Sequence, residues 1–339
     1  MSKGTSCQGC GALLQSEHPD RAGYVPPHVL NRSDQVRCQR CYRLSHYGVH
    51  QAGNNTHQPV VQAAGDAVDE VRAAVKSADA VLYVADIWDF EGSFLPELLT
   101  SVSEPLLLAV NKIDLLPLRT PAQEVLAWVR TRCREAGVTP AEIRLMSAER
   151  GAGVKALYRT LEKMLPGGGR IAVVGITNAG KSTLLRRWLP RHAPGPTTST
   201  LPGTTQKTLE YELARTGHVI LDTPGLAAGN RLPDLLCPTC ATALVPKARL
   251  RSKLVQLRPG GSLMFGGLAA VTALETSGDA TVTLAFTAEK VPIHVTRDER
   301  VLPLLQNGDR SWLHTTCTVC RRRFDESGWE NVRMKVDDG

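Results

Sequence analysis

The segment whose residue types and spacing most clearly indicate a chemical function is the glycine-rich segment Gly175–Ser182, with the sequence G-I-T-N-A-G-K-S. It satisfies the G-x-x-x-x-G-K-S pattern, in which glycines let successive backbone N–H groups curl around phosphate oxygens. Lys181 is expected to neutralise charge on the β- and γ-phosphates, and Ser182 to ligate Mg²⁺. The segment predicts a nucleotide phosphate site lined by Gly175, Asn178, Ala179, Gly180, Lys181, Ser182 and Thr183.

A second segment bears on the choice of base. Asn111, Lys112 and Asp114 stand in the order N-K-I-D, which resembles the N-K-x-D motif of GTPases. The motif's aspartate accepts hydrogen bonds from guanine N1–H and the exocyclic amine, which adenine does not offer. A wrong base would leave a buried carboxylate unpaired, which is costly. Ser147 and Ala148, in S-A-E, resemble the loop whose backbone reads guanine O6. We therefore predict a guanine nucleotide.

Two further segments resemble the switches of GTPases. In D-T-P-G, Asp222 is expected to touch Mg²⁺ through water, and the Gly225 amide to meet the γ-phosphate. Thr205, in P-G-T-T, resembles the threonine that completes Mg²⁺ coordination beside Ser182. Each motif alone is common by chance. Five motifs together, each at the end of a predicted strand, predict a GTPase site.

Hydrolysis requires an oriented water and a cation that stabilises the transition state. Leu226 follows D-T-P-G and is apolar, so it cannot orient water. Asn178 stands where potassium-activated GTPases carry an asparagine that helps hold K⁺ against the phosphates. The alternative is an asparagine suited to the loop geometry alone. The predicted catalytic residues are Asn178, Lys181, Thr205, Asp222 and Gly225.

The elements that would position these motifs follow from apolar periodicity. Strands are predicted at 80–85, 106–110, 142–146, 170–174, 207–213 and 218–221, and helices at 121–136, 153–165 and 181–189. Several of the strands are continuously apolar, as in a sheet covered on both faces. The alternation predicts a mostly parallel α/β sheet.

The order of the motifs is unusual. In an ordinary GTPase the phosphate loop comes first, whereas here N-K-I-D and S-A-E precede it and Thr205 and D-T-P-G follow it. A circular permutation explains this order without changing the sheet. The connector 166–169, P-G-G-G, stands where the old termini would be joined. The chain would then run from the switch straight into its C-terminal region.

Eight of the nine cysteines form four Cys-x-x-Cys pairs, and Cys133 lies alone in a helical pattern as a packing residue. Such pairs favour Zn²⁺ over disulfides in a reducing compartment. For the two N-terminal pairs a redox dithiol is less favoured, because both lie outside any βαβ context. The first predicted zinc site uses Cys7, Cys10, Cys38 and Cys41. A second site would use Cys237, Cys240, Cys317 and Cys320.

Composition bears on partners and compartment. The 339 residues carry a formal net charge of +7, which favours polyanionic partners. We find neither an apolar run long enough to span a membrane nor a signal-peptide core, so a cytoplasmic protein is expected. A basic stretch is expected either to contact RNA or to form a solvated helix face; its residues are Lys247, Arg249, Arg251, Lys253 and Arg258.

Taken together, the pieces resemble the YqeH-type circularly permuted GTPases, which act in assembly of the small ribosomal subunit. The segments 7–11, 23–27 and 38–41 resemble that family's zinc module. The segment 84–93, containing D-I-W-D-F-E-G-S, resembles its motif before N-K-x-D, and Gly266-Gly267-Leu268 also fits. The resemblance implies binding to rRNA or pre-ribosomes, slow intrinsic GTP hydrolysis and stimulation by K⁺.

The predicted organisation has three parts. Residues 1–55 form a zinc module, 56–230 a permuted Ras-like GTPase domain, and 231–339 a mixed α+β domain that contacts RNA or a partner. The expected function is a GTP-hydrolysing switch for small-subunit assembly, with GTP or GDP, Mg²⁺, Zn²⁺ and K⁺, and with neither DNA nor membrane as partner. Two alternatives are a GTP-dependent metal chaperone and a GTP-regulated protein adaptor without RNA.

Overall fold

The computed structural model describes residues 7, 14–17, 23–27, 38–39, 64–189, 208–213, 216–226, 231–306, 312–328 and 330–334. The chain divides into two compact units, Met1–Pro238 and Thr239–Gly339. Across these described ranges, every helix is too short or too polar to cross a membrane.

The first unit contains a six-stranded sheet. Its strands are β1 (Ala80–Asp86), β2 (Leu106–Asn111), β3 (Glu142–Leu145), β4 (Gly169–Val174), β5 (Leu209–Leu213) and β6 (His218–Asp222). The strands lie in the order β3-β2-β1-β4-β6-β5. All neighbours are parallel except β5 and β6, which pair antiparallel. Every residue of β1 and β2 is buried, as expected for strands covered on both faces.

Helices of the first unit connect these strands. They are α1 (Ala64–Lys76), α2 (Phe90–Ser93), α3 (Pro96–Leu99), α4 (Ala122–Glu135), α5 (Val154–Met164), α6 (Lys181–Trp188) and α7 (Leu232–Leu235), with a 3₁₀ turn at Ile113–Leu115. The core between helices and sheet includes Leu82, Leu107 and Leu184. Cys133 belongs to this core, and burial raises the pKa of its thiol to about 11. Its predicted packing role is confirmed.

All predicted strands and helices of this region are confirmed to within two residues. The sheet also shows how the permutation is accommodated. β4, which leads into the phosphate loop, lies between the earlier strand β1 and the later strand β6. The connector between α5 and β4 turns through Gly167, Gly168 and Gly169, all with positive φ. At Gly168 a side chain would collide with the Gly217 carbonyl, so the close approach requires glycine.

The second unit is mixed α+β. Its strands are β7 (Lys253–Leu257), β8 (Gly261–Phe265), β9 (Ala269–Thr272), β10 (Thr281–Ala285) and β11 (Ile293–Arg297). β10 pairs with β7, and β8 lies between β11 and β9; all of these pairs are antiparallel. The helices are α8 (Pro238–Leu244, which begins on the last residue of the first unit), α9 (Val301–Gln306, after a 3₁₀ turn at Asp298–Arg300) and α10 (Thr318–Ser327).

The basic stretch lies in this unit and is not helical. Residues 245–252 are loop, and Lys253 begins β7. The helix-face alternative for this stretch is therefore wrong. Alternate residues of β7 are buried, because Val255 and Leu257 pack with Ala285 of β10. That period-two pattern is incompatible with one apolar face of a helix.

Candidate nucleotide site and cysteine clusters

The predicted nucleotide motifs meet at one edge of the sheet. The phosphate loop follows β4, N-K-I-D begins at the end of β2, S-A-E follows β3, and D-T-P-G begins at the last residue of β6. These strands are parallel, so their carboxyl ends lie on the same side. In open α/β sheets this edge is where ligands bind.

The phosphate loop contains residues in the left-handed backbone region. Asn178 has φ +65° and Gly180 has φ +100°. Lys181 begins α6 and is buried, and its Nζ donates to the carbonyls of Gly175 at 2.7 Å and Ile176 at 3.1 Å. Burial lowers the pKa of Lys181 to about 8, although Asp222 opposes the shift. A bound phosphate would favour the ammonium form of this lysine.

Asp222 is the buried acid of the site. Its Oδ2 has no hydrogen-bond partner among the described residues. Burial raises the pKa of Asp222 to about 7, and Lys181 acts in the opposite direction. A buried carboxylate oxygen without a protein donor fits a hydrated Mg²⁺, which prefers oxygen ligands and retains several waters. Ser182, half-buried in the first turn of α6, offers a hydroxyl from the phosphate loop.

Asn111 links the N-K-I-D and S-A-E segments to the glycine-rich loop. Its Nδ2 donates to the Ala179 carbonyl at 2.7 Å, and its Oδ1 accepts from the Ala148 amide at 2.8 Å. A side chain at Gly180 would collide with Asn111 Nδ2. The Ala148 amide, predicted to lie in the loop that reads guanine O6, thus donates to Asn111 in this structure.

The other base-reading residues lie around this asparagine. Lys112 has φ +66°, and its Nζ donates to Asp86 Oδ2 at 2.5 Å. The Asp114 carboxylate accepts from Arg150 Nε at 3.3 Å, and Arg150 directly follows S-A-E. Ser147 is buried, and its Oγ accepts from the Arg150 amide at 3.0 Å. The structure therefore brings N-K-I-D and S-A-E together.

Leu226, the residue that follows D-T-P-G, is hydrogen-bonded to the phosphate loop. The Leu226 amide donates to the Gly175 carbonyl at 3.2 Å, and the Thr177 amide donates to the Leu226 carbonyl at 2.8 Å. A side chain at Gly225 would lie 2.8 Å from Thr177 Cγ2, so glycine is needed for this approach. Of the predicted switch residues, Thr205 lies outside the described residues.

Two arginines of the site were missed by the sequence analysis. Arg187, in α6, donates from Nε to the Ala148 carbonyl and from Nη2 to the Glu149 carbonyl. It thus ties S-A-E to the helix that follows the phosphate loop. Arg231 donates to the side chains of Asp89, Asp234 and Thr177. Neither arginine belongs to a recognised motif, so the spacing of residues in the sequence does not predict a role for either of them.

Four cysteines converge in space. Their sulfur atoms all lie within 4.8 Å of one another, so this cluster could hold a metal ion; its members are Cys237, Cys240, Cys317 and Cys320. The Cys317 amide donates to Cys240 Sγ at 3.1 Å. Four thiolates at one point suit tetrahedral Zn²⁺. Near the N-terminus, Cys7 and Cys38 are buried, and the Cys38 amide donates to Cys7 Sγ at 3.1 Å. Cys10 and Cys41 lie outside the described residues.

Comparison with known proteins bears on the family of the chain. The sequence model of a family described as "50S ribosome-binding GTPase" matches residues 170–251. YqeH of Bacillus subtilis (strain 168), itself described as uncharacterized, is 32% identical over 298 residues, covering 86% of this chain and 78% of that protein. The chain belongs to the YqeH family. As a family member with a P-loop GTPase domain whose motifs are circularly permuted, it is an enzyme that binds and hydrolyses GTP.

Two other similarities are weaker. NO-associated protein 1 (chloroplastic/mitochondrial) of Arabidopsis thaliana is 28% identical over 269 residues. They cover 73% of this YqeH-family chain but only 48% of the plant protein, so the chain spans about half the length of that relative. The crystal structure of YjeQ from Thermotoga maritima matches 43% of this chain and 48% of that one at 23% identity, with a TM-score of 0.30. That score is too low to support an argument.

Proposed function

We propose that this GTPase is a nucleotide-dependent switch that binds ribosomal particles and assists assembly of the small subunit. The observation that carries the proposal is the match of residues 170–251 to a family described as ribosome-binding GTPases. That description names the 50S subunit, so the choice of the small subunit rests on the sequence resemblance to the YqeH type. We place the activity in the cytoplasm, in keeping with the bacterial relative.

The nucleotide chemistry is assigned to the residues at the sheet edge. Lys181 binds the β- and γ-phosphates, Ser182 and Asp222 hold the hydrated Mg²⁺, and Asp114 selects guanine. When bound, Mg²⁺ neutralises charge that develops on the phosphates. Asn178 is assigned to a K⁺ site beside the same phosphates, where a cation stabilises the transition state. Thr205 completes the Mg²⁺ ligands, and the Gly225 amide contacts the γ-phosphate.

The basic stretch of the second unit is assigned to RNA. All five of its side chains are exposed: Lys247, Arg249, Arg251, Lys253 and Arg258. They lie on a loop and on β7, where long cationic side chains can reach phosphates of an irregular RNA surface. Such contacts release counterions, so binding is expected to weaken steeply with salt.

The cysteine clusters are assigned to structural zinc. Cys237, Cys240 and Cys320 are buried, and Cys317 is half-buried. In a buried tetrathiolate site, metal binding is coupled to the folding of the small elements around it. This burial disfavours the metal-chaperone alternative, which needs an accessible, labile ion. Cys7, Cys10, Cys38 and Cys41 are assigned to the first zinc ion on their spacing and on the burial of Cys7 and Cys38.

The protein-adaptor alternative is favoured by one surface. Leu254 of β7 and Leu284 of β10 are paired, and Val282 is on the same face. Their relative exposures are 61%, 56% and 59% respectively. Exposed apolar groups on one sheet face are typical of protein contacts. A ribosomal particle offers both RNA and protein, so this face is compatible with the main proposal as well.

Sedimentation with purified small and large ribosomal subunits tests the proposal. The protein would be added with a non-hydrolysable GTP analogue, with GDP or without nucleotide, at low and high salt. We expect association with the small subunit that depends on the nucleotide and weakens with salt. Association with the large subunit alone would overturn the choice of subunit, and salt-insensitive binding would favour the adaptor.

A charge-reversal pair identifies the RNA surface. The variant Lys247→Glu, Arg249→Glu, Arg251→Glu changes the charge of the proposed surface. The variant Arg130→Glu, Arg134→Glu, Lys155→Glu changes exposed residues of α4 and α5 by the same amount. Only the first is expected to abolish binding to the particle, while GTP hydrolysis persists in both. Equal losses in both variants would show that net charge, not the stretch, decides binding.

A further inference from the structure

Arg231 is a buried arginine that no nucleotide motif contains. Its relative exposure is 8%, and Asp234 holds it bidentately, with Nε to Oδ2 at 2.9 Å and Nη2 to Oδ1 at 2.5 Å. Nη1 also donates to Asp89 Oδ2 at 3.3 Å. A buried guanidinium with two carboxylates has a defined position, because its planar fork fits a carboxylate in one orientation.

The guanidinium also contacts the phosphate loop. Its Nη2 donates to Thr177 Oγ1 at 3.2 Å. Thr177 is the third residue of the glycine-rich loop and is itself buried. Arg231 is close enough to Lys181 that its charge contributes, after burial, to lowering the pKa of that lysine. Arg231 therefore lies beside the phosphate-binding groups without belonging to their motif.

Arg231 contacts segment 84–93, which resembles the family motif before N-K-x-D. Asp89 supplies one carboxylate, and a side chain at Gly92 would lie 2.7 Å from Arg231 Cδ. Ser93 Oγ accepts from the Asp86 amide at 2.9 Å, and Asp86 binds Lys112 of N-K-I-D. These contacts explain the D-x-x-D-F-x-G-S motif physically. Asp86 orients Lys112 of N-K-I-D, and Asp89 together with Gly92 accommodates Arg231.

Thr177 connects this cluster to the switch. Its amide donates to the Leu226 carbonyl, and its methyl group is the atom that a side chain at Gly225 would meet. The position of Gly225 therefore depends on Thr177, whose side chain Arg231 holds. Arg231 itself follows Gly225 by only six residues along the chain.

We propose that Arg231 is a positioning residue for GTP hydrolysis. Through the Thr177 hydroxyl it fixes the phosphate loop against Gly225, so that the glycine amide is held where the γ-phosphate charge develops. The proposal rests on the proposed contact between Gly225 and the γ-phosphate. GDP lacks that phosphate, so loss of the contact should lower turnover of GTP more than affinity for GDP.

Steady-state hydrolysis by the full chain tests this role. The variants are Thr177→Val, which removes the hydroxyl and keeps the size and methyl group, Arg231→Gln, and the double variant. We expect each single variant to lower kcat about tenfold, with KM changed by less than about twofold. Because both substitutions break the same contact, the double variant should also lose about tenfold rather than about hundredfold. Affinity for GDP should fall much less than kcat in all three.

A control removes an arginine that is ion-paired to another residue of the same segment. Arg132 donates to Glu91 at 2.7 Å and is 39% exposed, so Arg132→Gln should leave kcat unchanged. If Arg231→Gln fails to fold, as judged by its unfolding midpoint, Thr177→Val decides alone. A folded Thr177→Val with wild-type kcat overturns the proposal, as do multiplicative losses or a parallel fall in GDP affinity. Lys181→Ala tests the phosphate site separately. If this variant binds the non-hydrolysable GTP analogue as tightly as the wild type does, the proposed phosphate site is wrong, independently of the role of Arg231.

Discussion

The side-chain amide of Asn111 donates to the backbone carbonyl of Ala179 across 2.7 Å, and the two residues are 68 positions apart in the chain. The contact joins the N-K-I-D segment at the end of β2 to the glycine-rich loop that follows β4. Because the same side chain accepts from the Ala148 amide, one residue holds three nucleotide segments in register. The base and the phosphates of one nucleotide can then be bound by a single preorganised surface.

Replacing Asn111 should weaken nucleotide binding as well as stability. Asn111→Ala leaves the Ala148 amide and the Ala179 carbonyl without this partner, at a cost of about 1–3 kcal/mol each when buried. We expect affinity for GDP to fall at least about tenfold, together with a lower free energy of unfolding. Titration with a fluorescent GDP analogue and denaturant unfolding measure the two effects. Exposed Asn331→Ala should change neither, and an unaltered GDP affinity in Asn111→Ala would contradict the link.

The stability of the nucleotide-free protein should depend on pH through Asp222. Burial raises the pKa of this carboxyl from an ordinary value of 3.8 to about 7. The folded protein therefore binds the proton more tightly than the unfolded chain does, and stability falls as the pH rises from about 4 to about 7. Denaturant unfolding without Mg²⁺ should show this slope in wild type and its loss in Asp222→Asn. The variant Asp69→Asn, at an exposed carboxylate, should keep the slope. If Asp222→Asn shows the same pH dependence of stability as the wild type, that dependence arises from other groups.

Potassium dependence separates the two interpretations of Asn178. Its φ of +65° is a conformation that asparagine adopts readily and glycine adopts without strain. If the residue serves loop geometry alone, Asn178→Gly should hydrolyse GTP like wild type in both KCl and NaCl. If it holds K⁺, wild type should be faster in KCl, and Asn178→Gly should lose that difference while remaining folded. Equal rates of GTP hydrolysis by the wild type in KCl and NaCl would rule out the K⁺ site.

Metal content tests the second cysteine cluster directly. We expect two zinc ions per chain in the wild type and one in Cys317→Ser, because a site with three thiolates binds the ion far more weakly. Thermal unfolding should begin at a lower temperature in this variant. Cys133→Ala, which removes a buried thiol of the first unit outside either cluster, should retain two ions. Two ions in Cys317→Ser, or none in wild type, would rule out the assignment.

Local patterns in the sequence determined the parts of the molecule that depend on short-range physics. The G-I-T-N-A-G-K-S loop is recognisable because its glycines and lysine act within eight consecutive residues. The strands β1 and β2 were predictable because a strand buried on both faces is apolar at every position. The order of the motifs likewise established the permutation, since it is a property of the chain and not of its packing.

Only the tertiary structure decided the contacts between distant segments. The Arg231–Asp89 pair spans 142 positions, and nothing in the local spacing of either residue indicates the other. The helix-face alternative for Lys253 failed because pairing of β7 with β10, not local propensity, decided its conformation. The convergence of Cys237 with Cys320 likewise could not be established from their spacing, because it depends on the tertiary fold of the chain between them. Such contacts depend on which surfaces bury each other, and that is a property of the whole chain.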